Sequence, residues 1–518
     1  MTEFRRFLRN ALVLVGASLF MRSISLLFGA FVSRQVGAEG MGLFALVGSV
    51  YGFAVTLATS GIQLAVTRLC AAAQERGETD RMASVLRHAV LYAVLFGGLS
   101  AVLLFSFAYP LGVRLLGDAR TVPSLRLLSV SLLPIALSSV FSGYFIAVRR
   151  VYRNALAQVF EQGVRIALTV FGLMALAPAG LEYACLSLVG GSSLAELSSF
   201  FFQAIQYFFD RKKHFQPTRV RFERSVFRLL LLSALPLAIS AYARSGLVTL
   251  EHILIPLCLA AHGDKEMALA SYGTLHSMAI PAVLYPTAVS GVFAGLLVPE
   301  VAARQAKGEW GRVRYITERA VTFTLLFAIG CAGALMSTAG EIGAILYHSP
   351  EAGHFIFLLA PVIPIMYTDT TVDAVLKGLG YQVYSMGVNI ADAALSVLLV
   401  LLLLPRTGAE GYVAVVCLAE MFNFAFSAGK LRRVCPFRIP VYRFLLAPLL
   451  AAVGAAAVLR LLLPAAVSAG GLACRLALYA LLYLLLAAAL GTLTAADYRW
   501  LGALFPRRKA AKVPTRVL

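Results

Sequence analysis

Two arginines are the first residues in this chain whose position demands a chemical reason. Arg22 lies near the middle of the first long apolar run and Arg244 at the matching depth of the seventh, each followed by a serine. At 1.5 Å per helical residue, Arg22 is roughly 20 Å from either end of its run. That is too deep for its head to snorkel, and insertion scales put the cost at about 2.5–3.5 kcal/mol. The guanidinium must therefore face protein or water, and its planar fork of donors suits phosphate or carboxylate. Two such groups on equivalent helices are expected to converge on a central cavity. The alternative is a structural arginine paired with a carboxylate, and Glu251 follows Arg244 by two turns.

Polar residues elsewhere fall in helical stripes. Asn154, Gln158, Glu161, Gln162 and Arg165 recur at i, i+4, i+7, i+8 and i+11, and so share one helix face. Glu161 precedes Arg165 by four residues, the favourable orientation for an ion pair. Ser192, Glu196, Ser199, Gln203 and Gln206 repeat the pattern one helix later. Such faces do not meet lipid; they line a cavity or join helices through hydrogen bonds. The expected substrate-binding set is Arg22, Arg244, Arg165, Glu161, Gln158, Gln162, Asn154 and Glu196.

A second, more acidic set lies further along. Asp369, Asp373 and Lys377 are one turn apart; Ser385, Asn389, Asp392 and Ser396 share a face, as do Glu420, Asn423 and Ser427. Glu251, Asp369, Asp373, Asn389, Asp392 and Glu420 are the expected cation-coupling residues, as oxygen ligands for Na⁺ or as carriers of H⁺. Each carboxylate alone could instead be satisfied by Lys377 or a hydroxyl. No other cofactor is expected, and no enzyme either. Asp369-x-x-x-Asp373 is only faintly similar to the metal-binding carboxylates of lipid transferases and lacks the glycines and arginines around them.

The elements that position these residues follow from composition. Hydrophobic residues make up 60% of the 518 and charged residues 14%, where a soluble domain keeps about a quarter charged. The deficit runs the whole length, as apolar stretches of 20 or more residues between short polar loops. Backbone groups in hydrocarbon must be satisfied within the segment, so these stretches are helices; the short alternating segments of a membrane barrel are lacking. The expectation is an all-α integral membrane protein of about fourteen transmembrane helices. The first run is too long for a signal-peptide core and is expected to stay. The seven cysteines are scattered without metal-ligand spacing, which reads as reduced thiols.

The net charge of +20 invites a nucleic-acid reading, but its location answers otherwise. Of the 45 Lys and Arg residues, 34 fall in the two termini and the even-numbered loops, against 8 at the opposite face. This bias orients the chain with both termini in the cytoplasm, in the cell membrane. The charge is topology, and no nucleic-acid partner is implied. Membrane lipids are the expected surroundings, and a single chain is the favoured state.

The chain also repeats itself. Gln74, Gly77, Glu78, Arg81, Ala89, Val90, Leu95 and Phe96 recur 231 residues later as Gln305, Gly308, Glu309, Arg312, Ala320, Val321, Leu326 and Phe327. Pro134 and Pro364 continue the register at 230, and Arg22-Ser23 and Arg244-Ser245 pair at 222. The expected organisation is an N-terminal six-helix lobe (1–210), a basic cytoplasmic linker (211–227) and a C-terminal six-helix lobe (228–429). Helices thirteen and fourteen (430–498) and a basic tail (499–518) follow. Repeats of six helices keep the same orientation, so an axis along the membrane normal should relate them, with substrate at their interface. Prolines 236, 256, 281, 286, 299, 361 and 364 suggest kinks in helices seven, eight and ten.

Several motifs carry a resemblance. Gly37-Ala38-Glu39-Gly40-Met41-Gly42-Leu43, Ser60-Gly61-Ile62, Ala65-Val66-Thr67-Arg68-Leu69 and Gly143-Tyr144-Phe145 resemble the stage V sporulation protein B family. So do the Asn154–Arg165 stripe, Leu376-Lys377-Gly378-Leu379-Gly380, and Pro281, Pro286 and Pro299. That family lies within the multidrug/oligosaccharidyl-lipid/polysaccharide exporter superfamily, and fourteen helices match its lipid II flippase branch. The resemblance implies a flippase that carries an undecaprenyl-pyrophosphate-linked oligosaccharide or peptidoglycan precursor across the cytoplasmic membrane by alternating access. Arginines would take the pyrophosphate, polar stripes the sugar or peptide, and apolar helices the tail. Alternatives are a drug/cation antiporter, which calls for an acidic, aromatic cavity, and a non-transporting scaffold for cell-wall assembly, which needs no deep charges.

Overall fold

A computed structural model describes residues 2–59, 61–176, 178, 180–214, 224–262, 264–436 and 441–492. Most of the expected linker and the whole basic tail lie outside the described residues. Among those described, every regular element is helical. Fourteen stretches are long and apolar enough to cross a membrane, as the composition requires.

The first stretch, Val15–Glu75, has 61 residues. A straight helix of that length would run about 90 Å, three times a hydrocarbon core of about 30 Å. Gly37 resolves this: at φ 75° and ψ 176° it leaves helical geometry, in a region that costs glycine little. The stretch is therefore two crossings, α1 (residues 2–36) and α2 (38–75). The reverse holds at Lys265–Leu284 and Thr287–Ala306, two segments of one interrupted crossing, α8 (265–306). The two loops that follow α2 and α8 are built alike. Gly77 and Gly308 have φ of 69° and 71°, and Glu78 and Glu309 cap the next helix from similar backbone angles. The remaining crossings are α3 (Thr79–Leu115), α4 (Thr121–Ala147), α5 (Val151–Leu176), α6 (Leu181–His214), α7 (Arg224–Leu259), α9 (Trp310–Tyr347), α10 (Pro350–Gly378), α11 (Gln382–Thr407), α12 (Ala409–Val434), α13 (Tyr442–Leu462) and α14 (Ala469–Ala489).

Within the first six crossings α4 packs on α2, α3 and α6, and α5 on α6. Within the next six, α11 packs on α7 and α12, and α10 on α8, α9 and α12. The prolines act unequally. Pro236 and Pro256 sit inside an unbroken α7, whereas Pro286 marks the interruption in α8 and Pro361 a 3₁₀ turn at 360–362 of α10.

The last two crossings are not simply lipid-facing. Tyr479 and Tyr483 of α14 are buried over Gly333 and Gly330 of α9, and the Tyr483 hydroxyl donates to the Leu326 carbonyl at 2.7 Å. Arg475, also buried, pairs with Glu341 of α9 at 3.2 Å. Elsewhere α14 exposes Leu481 and Leu485, an apolar surface suited to lipid.

Candidate substrate site

The site is built where α1 meets the interruption in α8. Pro286 has no N–H, and Ala288 N–H turns to the Tyr285 carbonyl, so the helical ladder lapses here. The Leu284 carbonyl is left to side chains: it accepts from the Thr287 hydroxyl at 2.6 Å and from Arg22 Nη1. Arg22 Nη1 also donates to Thr287 Oγ1, and Ser23 shares a hydrogen bond with the Tyr285 hydroxyl at 2.8 Å. Both contacts of Arg22 use one nitrogen. Its exposed guanidinium keeps Nε and Nη2 without a hydrogen bond among the described residues, an oriented fork with donors to spare.

Beside this point an apolar groove of about 550 Å³ runs between α1, α8, α9 and α14. Val15, Phe293, Phe323, Phe327, Tyr483 and Leu484 are among its walls. Val289 and Ser290, one turn or less past Thr287 along α8, line it too.

Arg244 is placed differently. It is exposed, makes no hydrogen bond among the described residues, and lies within electrostatic range of Asp392 on α11 and Glu420 on α12. Glu251, offered by the sequence as its partner, instead accepts from the Tyr412 hydroxyl at 3.5 Å. The two arginines thus have separate surroundings, α8 for one and the acidic helices for the other.

The first-half stripes are drawn together by residues the spacing did not reveal. Tyr51 of α2 bonds both Ser131 of α4 and Glu196 of α6. Arg165 pairs with Glu161 at 2.6 Å and lies within electrostatic range of Glu196. Asn154 instead ties helices, donating to the Ser142 carbonyl at 3.1 Å. Gln158 is exposed and Gln162 half-buried, and neither makes a hydrogen bond among the described residues.

In the second half, Asp373 pairs with Lys377 at 2.6 Å. Asn389 donates to Ser385 and accepts from Asn423 at 3.4 Å. Asp369, Asp392 and Glu420 lie within electrostatic range of one another. One oxygen each of Asp369, Asp373 and Asp392 is buried without a donor. Among the described residues, however, no three His, Cys, Asp or Glu side chains come together closely enough to hold a metal ion.

Tyr51, Tyr285, Thr287 and Tyr412 are the site residues that sequence reading missed. Each stands alone rather than in a stripe. Only Thr287 carried a usable signal, since Pro286 before it removes a donor and frees a carbonyl nearby.

A two-lobed helical bundle with deep charges at its internal seam defines the class: a multi-pass helical membrane protein. A solved structure of lipid II flippase MurJ in an inward closed conformation superposes with a TM-score of 0.71 at 14% identity, covering 95% of this chain and 99% of that one. An inward-facing multidrug resistance MATE family transporter gives a TM-score of 0.64 at 14% identity, covering 82% of this chain and 98% of that chain. Residues 7–299 match the polysaccharide biosynthesis protein family, and this chain belongs to that family. Among its relatives, stage V sporulation protein B of Bacillus subtilis (strain 168) is 26% identical over 450 residues, 85% of this chain and 86% of that protein. The lipid II flippase MurJ of the same organism is 22% identical over 460 residues, 83% of each.

Proposed function

We propose that this protein is a transporter and not an enzyme. Its cargo is a polyprenyl-pyrophosphate-linked glycan or peptidoglycan precursor, which it moves from the inner to the outer leaflet of the cytoplasmic membrane by alternating access, with both termini in the cytoplasm. The observation that carries this reading is that α1 and α8, which hold the Arg22 fork between them, also wall the α1/α8/α9/α14 groove. A lipid diphosphate needs fixed donors for its head and an apolar channel for its tail, and this pair of helices offers both. A drug/cation antiporter has no use for an arginine fork opening beside a lipid-sized groove.

In this reading the remaining donors of Arg22 take the diphosphate. The Tyr51–Ser131–Glu196 and Glu161–Arg165 faces offer hydrogen bonds to the sugar or peptide. Transport is coupled to a cation through Asp392 and Glu420, whose charge Arg244 senses. In this reading the ion is a proton, which a single orphaned carboxylate oxygen such as that of Asp392 can take up.

Reconstitution tests the proposal. The purified chain in vesicles should expose an undecaprenyl-pyrophosphate-linked fluorescent glycan on the far leaflet, faster at an imposed pH gradient than without one. A rate equal to protein-free vesicles with every such lipid tried would overturn the transport reading. Equal rates with and without the gradient, and dependence on Na⁺ instead, would overturn the proton.

A further inference from the structure

The register that relates the two loops also relates two glycines, Gly42 of α2 and Gly273 of α8, 231 residues apart. They meet. A Cβ on Gly42 would lie 2.1 Å from the Leu269 carbonyl oxygen, and one on Gly273 would lie 2.1 Å from the Ala38 oxygen. Ala38 and Leu269 are themselves 231 apart. Each contact is thus the other's twofold image, the signature of an isologous interface with the axis passing through it. Real Cβ atoms do not approach so closely, so only glycine at both positions lets these two backbones touch.

The crossing lies at the ends of α2 and α8 that adjoin the Gly37 corner, the face opposite the N-terminus. Two further ties span the halves at that face. Ser277 donates to the Met41 carbonyl at 3.2 Å, and Arg34 of α1 donates to the Ile345 and Leu346 carbonyls of α9. Directly beyond the crossing, one to three turns along α2, opens a cavity of about 480 Å³. Gly48, Ser49, Thr249, His252 and His276 line it, contributed by α2, α7 and α8.

From this geometry we infer that the Gly42–Gly273 crossing is the outer gate, closed in this structure over the cavity between the halves. Because the axis runs through the contact, the halves cannot rock apart at this face without parting both carbonyl contacts together. Backbone packed this tightly is either seated or separated, with little in between. The inference rests on the alternating-access reading but not on the cargo.

The test uses the full chain with Cys417 and Cys474 changed to serine and Ser49→Cys added as a reporter in the cavity. A membrane-impermeant maleimide is applied from the outer face. Gly42→Ala and Gly273→Ala should each raise the labelling rate by about fivefold or more, and by similar amounts because the contacts are equivalent. Gly48→Ala, where a Cβ meets nothing within 4 Å, should leave the rate unchanged. Unchanged labelling in both glycine variants, or an equal rise in Gly48→Ala, overturns the gate.

A second measurement does not depend on those variants folding. Ala45→Cys and Ser277→Cys are bridged by a cleavable bifunctional thiol reagent, which should stop translocation until the bridge is cut. Full translocation by the bridged protein overturns the gate. Labelling that follows the expected pattern in a protein that moves no lipid-linked glycan leaves the gate standing and removes the cargo reading.

Discussion

Ser23 bonds Tyr285 where α1 meets α8, and Ser245 bonds Thr56 at 3.1 Å where α7 meets α2. These contacts are alike in kind: Ser23 and Ser245 stand 222 residues apart, and Thr56 lies at the register position of Thr287, two residues from Tyr285. Around this shared plan the seams diverge. At the register of 231, Thr287 corresponds to Thr56, and the proline that frees the Leu284 carbonyl corresponds to Val55. Arg22 finds a carbonyl and a hydroxyl beside it, while Arg244 makes no hydrogen bond among the described residues and lies within electrostatic range of Asp392 and Glu420. The α1 seam opens into a groove of about 550 Å³ walled partly by α14. On the α7 side, Val226 and Leu229 close against α2 and α3 around a pocket of about 190 Å³. A duplicated framework thus carries two seams with unlike surroundings, which the proposed function assigns to substrate and to coupling.

Removing the fork from the first seam should have the largest effect. Arg22→Ala is expected to lower translocation by about 10–100-fold, the worth of charge-assisted hydrogen bonds, at unchanged membrane levels. Arg22→Lys should restore only part, because a point charge cannot present two parallel donors. Wild-type rates in Arg22→Ala would erase the distinction between the seams. Next, Ala334→Trp fills the groove. It should slow a long-chain lipid-linked substrate by about fivefold and spare a short-chain analogue; equal slowing of both would mean the groove does not hold the tail.

The coupling seam is probed by Asp392→Asn. It should remove the dependence of the rate on the cation gradient while the ungraded rate stays within about threefold of wild type. An intact dependence would detach Asp392 from coupling. The smallest effect belongs to the shared framework. Ser245→Ala deletes one interhelical hydrogen bond, worth about 0.6 kcal/mol in membrane proteins, and should alter rate and detergent melting only slightly. A collapse of transport in that variant would show that the α7 seam carries more than its packing reveals.

The sequence went far on the fold because hydrocarbon leaves the backbone no alternative to helices. Fourteen crossings were legible that way, and so was the doubling, since the loop residues Gly77 and Gly308 need left-handed backbone that few other residues adopt. It went less far on the site. Stripes such as Asn154–Arg165 announce a polar face but not its neighbours, and Tyr51, which gathers one such face, sits alone in an apolar run.

What the sequence by itself determined is where charge must be hidden: Arg22, Arg244 and the late carboxylates could not face lipid, whatever the fold. Only the tertiary structure decided their partners. Insertion energy depends on depth along one helix, which spacing gives, whereas pairing depends on which helix lies alongside and where its ladder breaks. For Arg22 that was a carbonyl released by a proline more than 260 residues away.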